Sequence, residues 1–206
     1  MIYRNLGRQD YSLVWQQMRA FTDMRIADLA ACDDQIWFVE HNPVFTLGRA
    51  GRIEHLLQAT EIPVIKTDRG GQITYHGPGQ LVVYCLFYLR HSGLSSLVRR
   101  LEQFIMAVLA QYGITAHTIP KAPGVYIEGQ KVASLGLRVS RFCCYHGFAV
   151  NVNMDLCPFR RINPCGYPDL KVTRLADWLN PAVTVPDVAD VAGVVTDLME
   201  SGFTLY

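Results

Sequence analysis

Two apolar runs that meet at a glycine turn constrain the fold of this chain most. The segment GVYIEGQKVASLGLRV, residues 124–139, places Glu128-Gly129-Gln130 between two runs of hydrophobic residues. This pattern is typical of a β-hairpin whose second strand opens with Lys131. The two strands of a hairpin must pair antiparallel. Further short runs of β-forming residues lie at 35–40, 44–48, 63–68, 81–89 and 144–153.

Helical periodicity is confined to a few segments. It is clearest over 94–112, where apolar residues recur at i, i+3 and i+4 until Gly113. Residues 10–31 carry one apolar stripe, and 187–201 have the pattern of a closing helix. Because strands are frequent and do not alternate regularly with helices, we expect an α+β fold with a mixed or antiparallel sheet flanked by helices. Without repeats or linkers, residues 1–206 are predicted to form a single domain.

Charge and hydropathy exclude several classes of protein. The chain has 19 Lys and Arg against 18 Asp and Glu, a net charge of +1, which argues against a general nucleic-acid-binding protein. No run approaches the roughly 20 apolar residues of a membrane span, and the N-terminal residues lack the apolar run of a signal peptide. We therefore expect a cytoplasmic protein. In that reducing compartment its six cysteines are buried hydrophobes, metal ligands or nucleophiles rather than disulfide partners.

The glycine-rich stretch RGGQITYHGPGQ, residues 69–80, lies between two predicted strands. A nucleotide-binding P-loop requires Gly-Lys-Ser/Thr, whereas here Gly79 is followed by Gln80-Leu81. Phosphate binding is therefore not indicated. Glycines remove side-chain bulk, so the stretch fits either a narrow uncharged ligand such as an acyl chain or a simple turn between strands.

A second stretch, FRRINPCGYPD at 159–169, contains the best candidate for a nucleophile. Cys165 lies between a proline and a glycine, which suits an exposed turn better than a buried core. Cys32 and Cys85 lie within or beside apolar runs and are weaker candidates.

A zinc site is the alternative interpretation of the clustered cysteines. Adjacent cysteines on a strand point to opposite faces, and the spacing matches neither C-x-x-C nor H-x-x-x-H, so zinc is disfavoured. The residues considered for such a site are Cys143, Cys144, His146, Cys157 and Cys165.

Four motifs occur in one order along the chain: RGGQITYHGPGQLVVY, GQKVASLGLRV, HGFAVNVN and INPCGY. Together they resemble the lipoyl/octanoyl transferases of lipoate biosynthesis, over about 40–167. The resemblance implies the biotin/lipoate protein ligase fold and an ATP-independent transfer that needs no cofactor or metal. It implies that an octanoyl or lipoyl group moves from acyl carrier protein to a specific lysine of lipoyl domains, as the first step of endogenous protein lipoylation. The implied acceptors are the lipoyl domains of 2-oxoacid dehydrogenase E2 subunits and the glycine cleavage H protein.

The same resemblance implies the site residues. Cys165 matches the nucleophile that carries the acyl group as a thioester, and Lys131 matches the lysine that lowers the pKa of that cysteine. Cys85, in the strand that follows the glycine-rich stretch, occupies a position where the family often has proline. Three segments match the acyl-binding residues, namely Arg69, Gly70, Gly71, Gln72, Ile73, Thr74, Tyr75 and His76, then Ser134, Leu135 and Gly136, and finally Gly147, Phe148 and Ala149.

The chemistry of such a pair follows from general principles. A thiol with a pKa near 8.5 is only a few per cent thiolate at neutral pH, and an adjacent ammonium group favours the thiolate. Backbone N–H groups near Gly70-Gly71, Gly77 or Gly147 are candidates to stabilise the oxyanion. The roles of His76 and His146 stay open between proton transfer and structure.

Two other expectations concern partners and alternatives. Acidic protein substrates would dock on a basic face, for which the candidates are Arg49, Arg52, Arg138, Arg141, Arg160 and Arg161. An ATP-dependent lipoate ligase of the same fold is one alternative function; it would need an adenylate site and would not need Cys165. A non-catalytic zinc-binding or ligand-binding module is the other.

Overall fold

A computed structural model describes residues 1–29, 32–58, 61–89, 93–164 and 170–205 of the chain. The strands are β1 Ile2–Gln9, β2 Gln35–His41, β3 Val44–Leu47, β4 Val64–Lys66, β5 Ile73–His76, β6 Gln80–Tyr88, β7 His117–Ile119, β8 Ala122–Ile127, β9 Gln130–Ser140 and β10 Cys143–Asn151. The α-helices are α1 Tyr11–Ala27, α2 Leu94–Ala110 and α3 Val188–Glu200.

The strands form two sheets. The larger sheet has the strand order β1-β2-β6-β10-β9-β8-β7. In it β1 runs parallel to β2, with α1 as the connection between them, and the other neighbours are antiparallel. The smaller sheet has the order β4-β3-β5, with β3 parallel to β4 and antiparallel to β5. The predicted α+β class with a mixed sheet is confirmed.

Helices cover both faces of the larger sheet. Along β6, Val83 and Cys85 belong to the hydrophobic cluster that contains the buried residues of α2 and α3. Val82 and Tyr84 belong to the cluster on the opposite face, which contains those of α1. Because β6 is central and buried on both faces, its sequence is a continuous apolar run instead of an alternating one.

Local sequence signals explain how several elements begin and end. The turn between β8 and β9 places Glu128 and Gly129 at φ values of 45° and 78°, as a two-residue hairpin turn requires. The predicted hairpin is therefore confirmed. Helix α3 begins with a capping box, in which the carboxylates of Asp187 and Asp190 each accept the backbone N–H of the other at 2.9 Å.

The helices predicted over 10–31, 94–112 and 187–201 correspond to α1, α2 and α3. Three strands escape the sequence prediction. β7 has three residues, all with exposed side chains, and lies at an edge of the larger sheet. β1 lies at an edge of the larger sheet and has mostly exposed side chains, so it lacks an apolar signal. β5 lies inside the glycine-rich stretch, where it pairs with β3. Tertiary pairing, more than local propensity, explains all three strands.

Candidate active site

A cavity lies where the glycine-rich stretch meets β9 and β10. The three segments predicted to bind an acyl chain come together in its wall, which contains Arg69, Gly71, Gln72, Ile73, Thr74, His76, Ser134, Leu135, Gly136, Gly147, Phe148 and Ala149. Four further residues complete the wall: Tyr11, Val82, Tyr84 and His146. Tyr11, Val82 and Tyr84 carry no sequence signal for the site, and the role of His146 stays open from the sequence alone.

Two residues of the predicted acyl-binding segments lie outside this cavity wall. Tyr75 packs instead in the core of the smaller sheet, with ring centroids 5.4 Å from Phe45 and 5.6 Å from Phe159. Gly70 lies against β9, where its N–H donates to the carbonyl of Leu137 at 2.9 Å. Gly70 therefore serves to dock the stretch on the sheet.

A second recess, which we call the Lys131 recess, adjoins the cavity. It is lined by Lys131, Pro123 and Gly70 together with Leu94 and Val98 of α2, among others. The two spaces share a stretch of wall, formed by Gly71, Gln72, Leu135 and Gly136. The recess and the cavity are therefore direct neighbours.

The side chain of Lys131 is only 3% exposed. Its ammonium group donates to the carbonyl oxygen of Pro123 at 2.9 Å and lies 5.3 Å from the ring centroid of Tyr126. A Cβ at Gly124 would lie 2.5 Å from Lys131 Cε, so only glycine leaves room for this conformation. The N–H of Gly124 on β8 donates to the carboxylate of Glu102 on α2 at 2.9 Å, and this hydrogen bond ties β8 to α2.

The backbone of Lys131 is bound to a segment near the C-terminus. Its N–H donates to the carbonyl of Lys171 at 2.8 Å, and its carbonyl accepts the N–H of Thr173 at 2.9 Å. The predicted nucleophile, Cys165, lies outside the described residues. The chain just before it is held by a hydrogen bond from the Asn163 N–H to the His55 carbonyl at 2.8 Å. Both described flanks of the cysteine segment are therefore fixed to the body of the protein.

Two glycines of the stretch make room for protein atoms and not for a ligand. A Cβ at Gly77 would overlap the phenol of Tyr75, and one at Gly79 would overlap the backbone of Asn153. This corrects the interpretation that the glycines as a group admit an acyl chain. Gly70 is also excluded as an oxyanion donor, because its N–H is already used. The exposed N–H of Gly71 donates to no other described residue, so it is the better candidate.

Arg69 holds the glycine-rich stretch in shape. Its Nη2 donates to the carbonyl of Thr46 at 2.6 Å and to the carbonyl of Gln72 at 2.8 Å. Its Nη1 donates to the carbonyl of Gly70 at 2.8 Å. This buried guanidinium therefore ties the loop to β3 while its side chain also lines the cavity.

The inner end of the cavity, as we call the part lined by Tyr11, His76, Tyr84 and His146, is polar and almost completely buried. His146 Nε2 lies 2.9 Å from a carboxylate oxygen of Asp68. Burial works to raise the pKa of Asp68, but hydrogen bonds from His146, Tyr145 and Trp15 outweigh it, and the pKa lies well below its usual range. Burial lowers the pKa of His146. The neutral ring of His146 therefore donates from Nε2 to an ionised carboxylate.

An unusual backbone conformation places this histidine. Tyr145 and His146 are neighbours on β10, yet their rings stack with centroids 5.0 Å apart and both reach Asp68. Successive side chains of a strand normally point to opposite faces. His146 has a φ of 61°, in the left-handed region, which breaks that alternation. Gly147 follows it, and a Cβ there would overlap the Val83 carbonyl.

A chain of side-chain hydrogen bonds fixes His76. The amide nitrogen of Asn151 donates to the carbonyl of Thr173 at 2.8 Å, and its oxygen accepts from Gln80 Nε2 at 2.8 Å. Gln80 Oε1 must then accept, so His76 Nδ1 is the donor in their 2.7 Å hydrogen bond. Burial lowers the pKa of His76 to about 3. The ring is therefore neutral, with its proton on Nδ1.

The same reasoning fixes the third histidine. His41 Nδ1 donates to the carbonyl of Gln9 at 3.0 Å, so its Nε2 accepts from the hydroxyl of Tyr84 at 2.7 Å. Burial lowers the pKa of His41 to about 4. The proton of the Tyr84 hydroxyl is thus committed to His41. His41, Asp68 and Asn151 carry no local sequence signal, because only the fold brings them to Tyr84, His146 and Gln80, to which they hydrogen bond.

The six arginines predicted to form a docking face fall into two groups. The 3₁₀ helix Cys157–Arg161 carries Arg160 and Arg161, and its end pairs with the segment after Arg52, because the Leu57 N–H donates to the carbonyl of Arg161 at 2.8 Å. Arg138 and Arg141 lie at the far end of β9 and the turn that follows. Arg49, Arg52, Arg141 and Arg160 are exposed. The structure therefore places Arg160, Arg161 and the segment that follows Arg52 together, next to the described residues that precede Cys165 in the chain.

The described residues show no metal site, no disulfide and no membrane-spanning helix. Among the described residues, no three His, Cys, Asp or Glu side chains are grouped so that they could hold a metal ion. The five described cysteines are free thiols: Cys32, Cys85, Cys143, Cys144 and Cys157. None of the described helices has both the length and the apolar character needed to cross a bilayer.

Comparison with known proteins identifies the family. Residues 10–193 match the family model of the lipoyl protein ligase A/B catalytic domain. The chain belongs to this family. An octanoyltransferase from Alkalilimnicola ehrlichii is 60% identical over 84% of this chain and 80% of its own length. One from Chromobacterium violaceum is 56% identical over 92% and 90%. These relationships support octanoyl transfer in protein lipoylation as the activity of the chain.

A solved structure confirms the fold prediction. A lipoate-protein ligase A bound with ATP superposes with a TM-score of 0.69 over 98% of this chain and 85% of its own, at 15% identity. At that identity the likeness concerns the fold alone. The expected lipoate-ligase type of α+β fold is thereby confirmed.

Proposed function

We propose that octanoyl transfer proceeds here through a thioester on Cys165, with Lys131 as its partner. The observation that supports this most is the position of Lys131. Its buried amine lies in a recess that adjoins the cavity lined by the acyl-binding segments, and its backbone is paired with the segment that follows Cys165. A cationic group beside a thiol favours the thiolate, which is the reactive form.

The proposed reaction has two displacements. In the first, the thiolate of Cys165 attacks the carbonyl carbon of the donor thioester; the C–S bond to the donor breaks, and the departing thiolate takes up a proton. In the second, a lysine amine of the acceptor attacks the acyl-enzyme, loses a proton and releases Cys165. An amide is more stable than a thioester, so no ATP is consumed. The exposed N–H of Gly71 is our candidate donor to the oxyanion of each step.

The finer assignment of substrates is part of the proposal. The donor is octanoyl-acyl carrier protein, and the acceptors are lipoyl domains of 2-oxoacid dehydrogenase E2 subunits and the glycine cleavage H protein. Arg160 is exposed on the 3₁₀ helix that precedes Cys165 in the chain, and Arg52 is exposed just before the segment that pairs with the end of that helix. Both would attract such acidic proteins. If these arginines attract the substrates, the transfer rate should fall as salt is added, because salt screens charges. A transfer rate that does not depend on salt would show that the arginines have no docking role.

Two further assignments belong to the same proposal. The five described cysteines are free thiols, as is typical of a reducing compartment, so we place the protein in the cytoplasm. We also treat residues 1–206 as one catalytic domain, since the match to the family covers residues 10–193.

The test compares two sources of the acyl group. The purified protein and an unmodified lipoyl domain are incubated with octanoyl-acyl carrier protein alone, or with octanoic acid and ATP. We expect octanoylated lipoyl domain from the first mixture without ATP. Cys165→Ala and Lys131→Met should abolish it, while the exposed-site controls Cys157→Ala and Lys66→Met retain it. Product only from the second mixture would instead identify an ATP-dependent ligase.

A further inference from the structure

The inner end of the cavity is chemically unlike the terminus of an octanoyl chain. The methyl end of such a chain neither donates nor accepts hydrogen bonds, and an apolar wall would suit it best. Instead, two buried imidazoles and two phenols line this end. The inference below rests on the proposed function, since it takes the cavity to hold the acyl chain.

Each histidine presents an unprotonated ring nitrogen. His146 donates from Nε2 to Asp68, which leaves a lone pair on Nδ1. That Nδ1 is buried and has no hydrogen-bond partner among the described residues. His76 donates from Nδ1 to Gln80, which leaves a lone pair on Nε2, and no described residue hydrogen bonds to it. Both rings line the cavity, and His146 is only 1% exposed.

The hydroxyl groups of Tyr84 and Tyr11 do not donate hydrogen bonds to these two ring nitrogens. The Tyr84 hydroxyl donates to His41, and the Tyr11 hydroxyl lies 3.0 Å from the hydroxyl of Thr67. A buried acceptor without a partner is costly. The left-handed backbone at His146 adds to that cost, which argues that the position of this ring has a use.

We propose that the inner end is a binding subsite for a neutral O–H donor, held by His76 Nε2 and His146 Nδ1. Two sources of this donor share the same chemistry. One is a water molecule kept beneath the end of an alkyl chain, which can donate to both nitrogens. The other is the terminal hydroxyl of an ω-hydroxyacyl chain that displaces the water. In both cases the two histidines limit the length of alkyl chain that the cavity accepts.

The test uses matched pairs of acyl groups on the unmodified enzyme. Each ω-hydroxyacyl group of seven to ten carbons is compared with the alkyl group one carbon longer, which replaces the hydroxyl by a methyl group. Both are loaded on acyl carrier protein, with octanoyl as the internal standard. At the length where the hydroxyl reaches the histidines, we expect it to be transferred about tenfold faster or more than its methyl counterpart.

Variants locate the effect. His76→Phe removes one acceptor and keeps the volume, so it should lose the preference for hydroxyl and accept a longer alkyl chain. His117→Phe, at an exposed position on β7, should leave the preference intact. If His76→Phe does not fold, the matched pairs on the unmodified enzyme still decide the question. Methyl groups transferred at least as fast as hydroxyl groups at every length would overturn the proposal.

The outcome also separates this inference from the proposed function. Transfer of octanoyl with no hydroxyl preference refutes only the subsite. If octanoyl is not transferred at all, the proposed function fails, and calorimetric binding of the free ω-hydroxy acids and their methyl counterparts then tests the subsite. Tighter binding of the hydroxy acid would support it, and equal or weaker binding would reject it.

Discussion

The Lys131 recess and the inner end of the cavity each contain buried polar side chains, yet these side chains offer opposite hydrogen-bonding groups. At the recess, a primary amine donates to the carbonyl of Pro123, and Gly124 leaves room for its side chain. At the inner end, burial keeps imidazoles neutral and a hydrogen-bond chain decides which nitrogen carries the proton. The recess thus contains a hydrogen-bond donor, and the inner end contains unprotonated ring nitrogens that can accept hydrogen bonds.

The two ends are joined by backbone and side-chain contacts. Thr173 donates its N–H to the carbonyl of Lys131, and its own carbonyl accepts from Asn151. Asn151 holds Gln80, which in turn orients His76. One hydrogen-bond chain therefore connects Lys131 to His76. Three changes, at Gly124, at Asn151 and in pH, should affect the two ends of this chain or its middle separately.

The largest effect is expected at the recess. Gly124→Ala puts a methyl group 2.5 Å from Lys131 Cε and should displace the amine. A misplacement of about 1 Å can cost about a hundredfold in rate, so we expect a loss of that order in octanoyl transfer. The transfer rate is measured per folded protein, as judged by circular dichroism.

Gly129→Ala is the matched control for that change. Gly129 lies in the same hairpin with a φ of 78°, but a Cβ there meets no atom within 4 Å. It should cost about 1 kcal/mol of stability because of the left-handed backbone and leave the transfer rate almost unchanged. Equal loss of activity in both variants would show that hairpin strain, and not the position of Lys131, governs the rate.

An intermediate effect is expected where the two ends are joined. Asn151→Leu leaves Gln80 Nε2 and the carbonyl of Thr173 without this partner. We expect the free energy of unfolding to fall by about 2–6 kcal/mol, from about 1–3 kcal/mol for each of the two buried groups. Denaturant titration measures this loss. The exposed-site variant Asn153→Leu should change stability by less than about 0.5 kcal/mol, and a similar loss in both would contradict the joining role.

The smallest expected effect is a loss of stability at low pH, caused by protonation of the buried histidines at and near the inner end. Burial holds the pKa of His41 at about 4 and that of His76 at about 3, against 6.5 for a free histidine. The unfolded chain therefore binds protons first, so stability is complete above pH 6.5 and falls as the pH decreases toward 4. Each histidine contributes at most about 1.4 kcal/mol per pH unit in that range.

The measurement is the free energy of unfolding between pH 7 and pH 5. We expect a decrease on the order of 1–2 kcal/mol for each buried histidine. His41→Gln should reduce the slope, while His117→Gln, at an exposed position, should not. A slope that is the same in all three proteins would mean that His41 is not held neutral in the folded state.

The sequence predicted the elements whose signals are local. The hairpin at Glu128-Gly129, the helix over 94–112 and the buried strand β6 each carry their own turn or periodicity signal. The acyl-binding segments came from the family resemblance, and the structure brings most of them into one wall. Tyr75 is an exception because it belongs to the core of the smaller sheet.

The remaining features depend on contacts between distant residues. Nothing local to Asp68 shows that it receives hydrogen bonds from both Trp15 and His146, which lie far away in the sequence. The left-handed conformation of His146 and the clash that excludes a side chain at Gly77 are likewise consequences of tertiary packing. Such features become visible only when the strands are placed side by side.

The central claim is that Cys165 carries the acyl group with the help of Lys131. Its most direct test is the intact mass of the protein after incubation with octanoyl-acyl carrier protein, without ATP and without an acceptor. We predict a mass increase of one octanoyl group on the unmodified protein, no increase on Cys165→Ala and slower formation on Lys131→Met. Absence of the adduct from an unmodified protein that still transfers octanoyl to a lipoyl domain would contradict the claim.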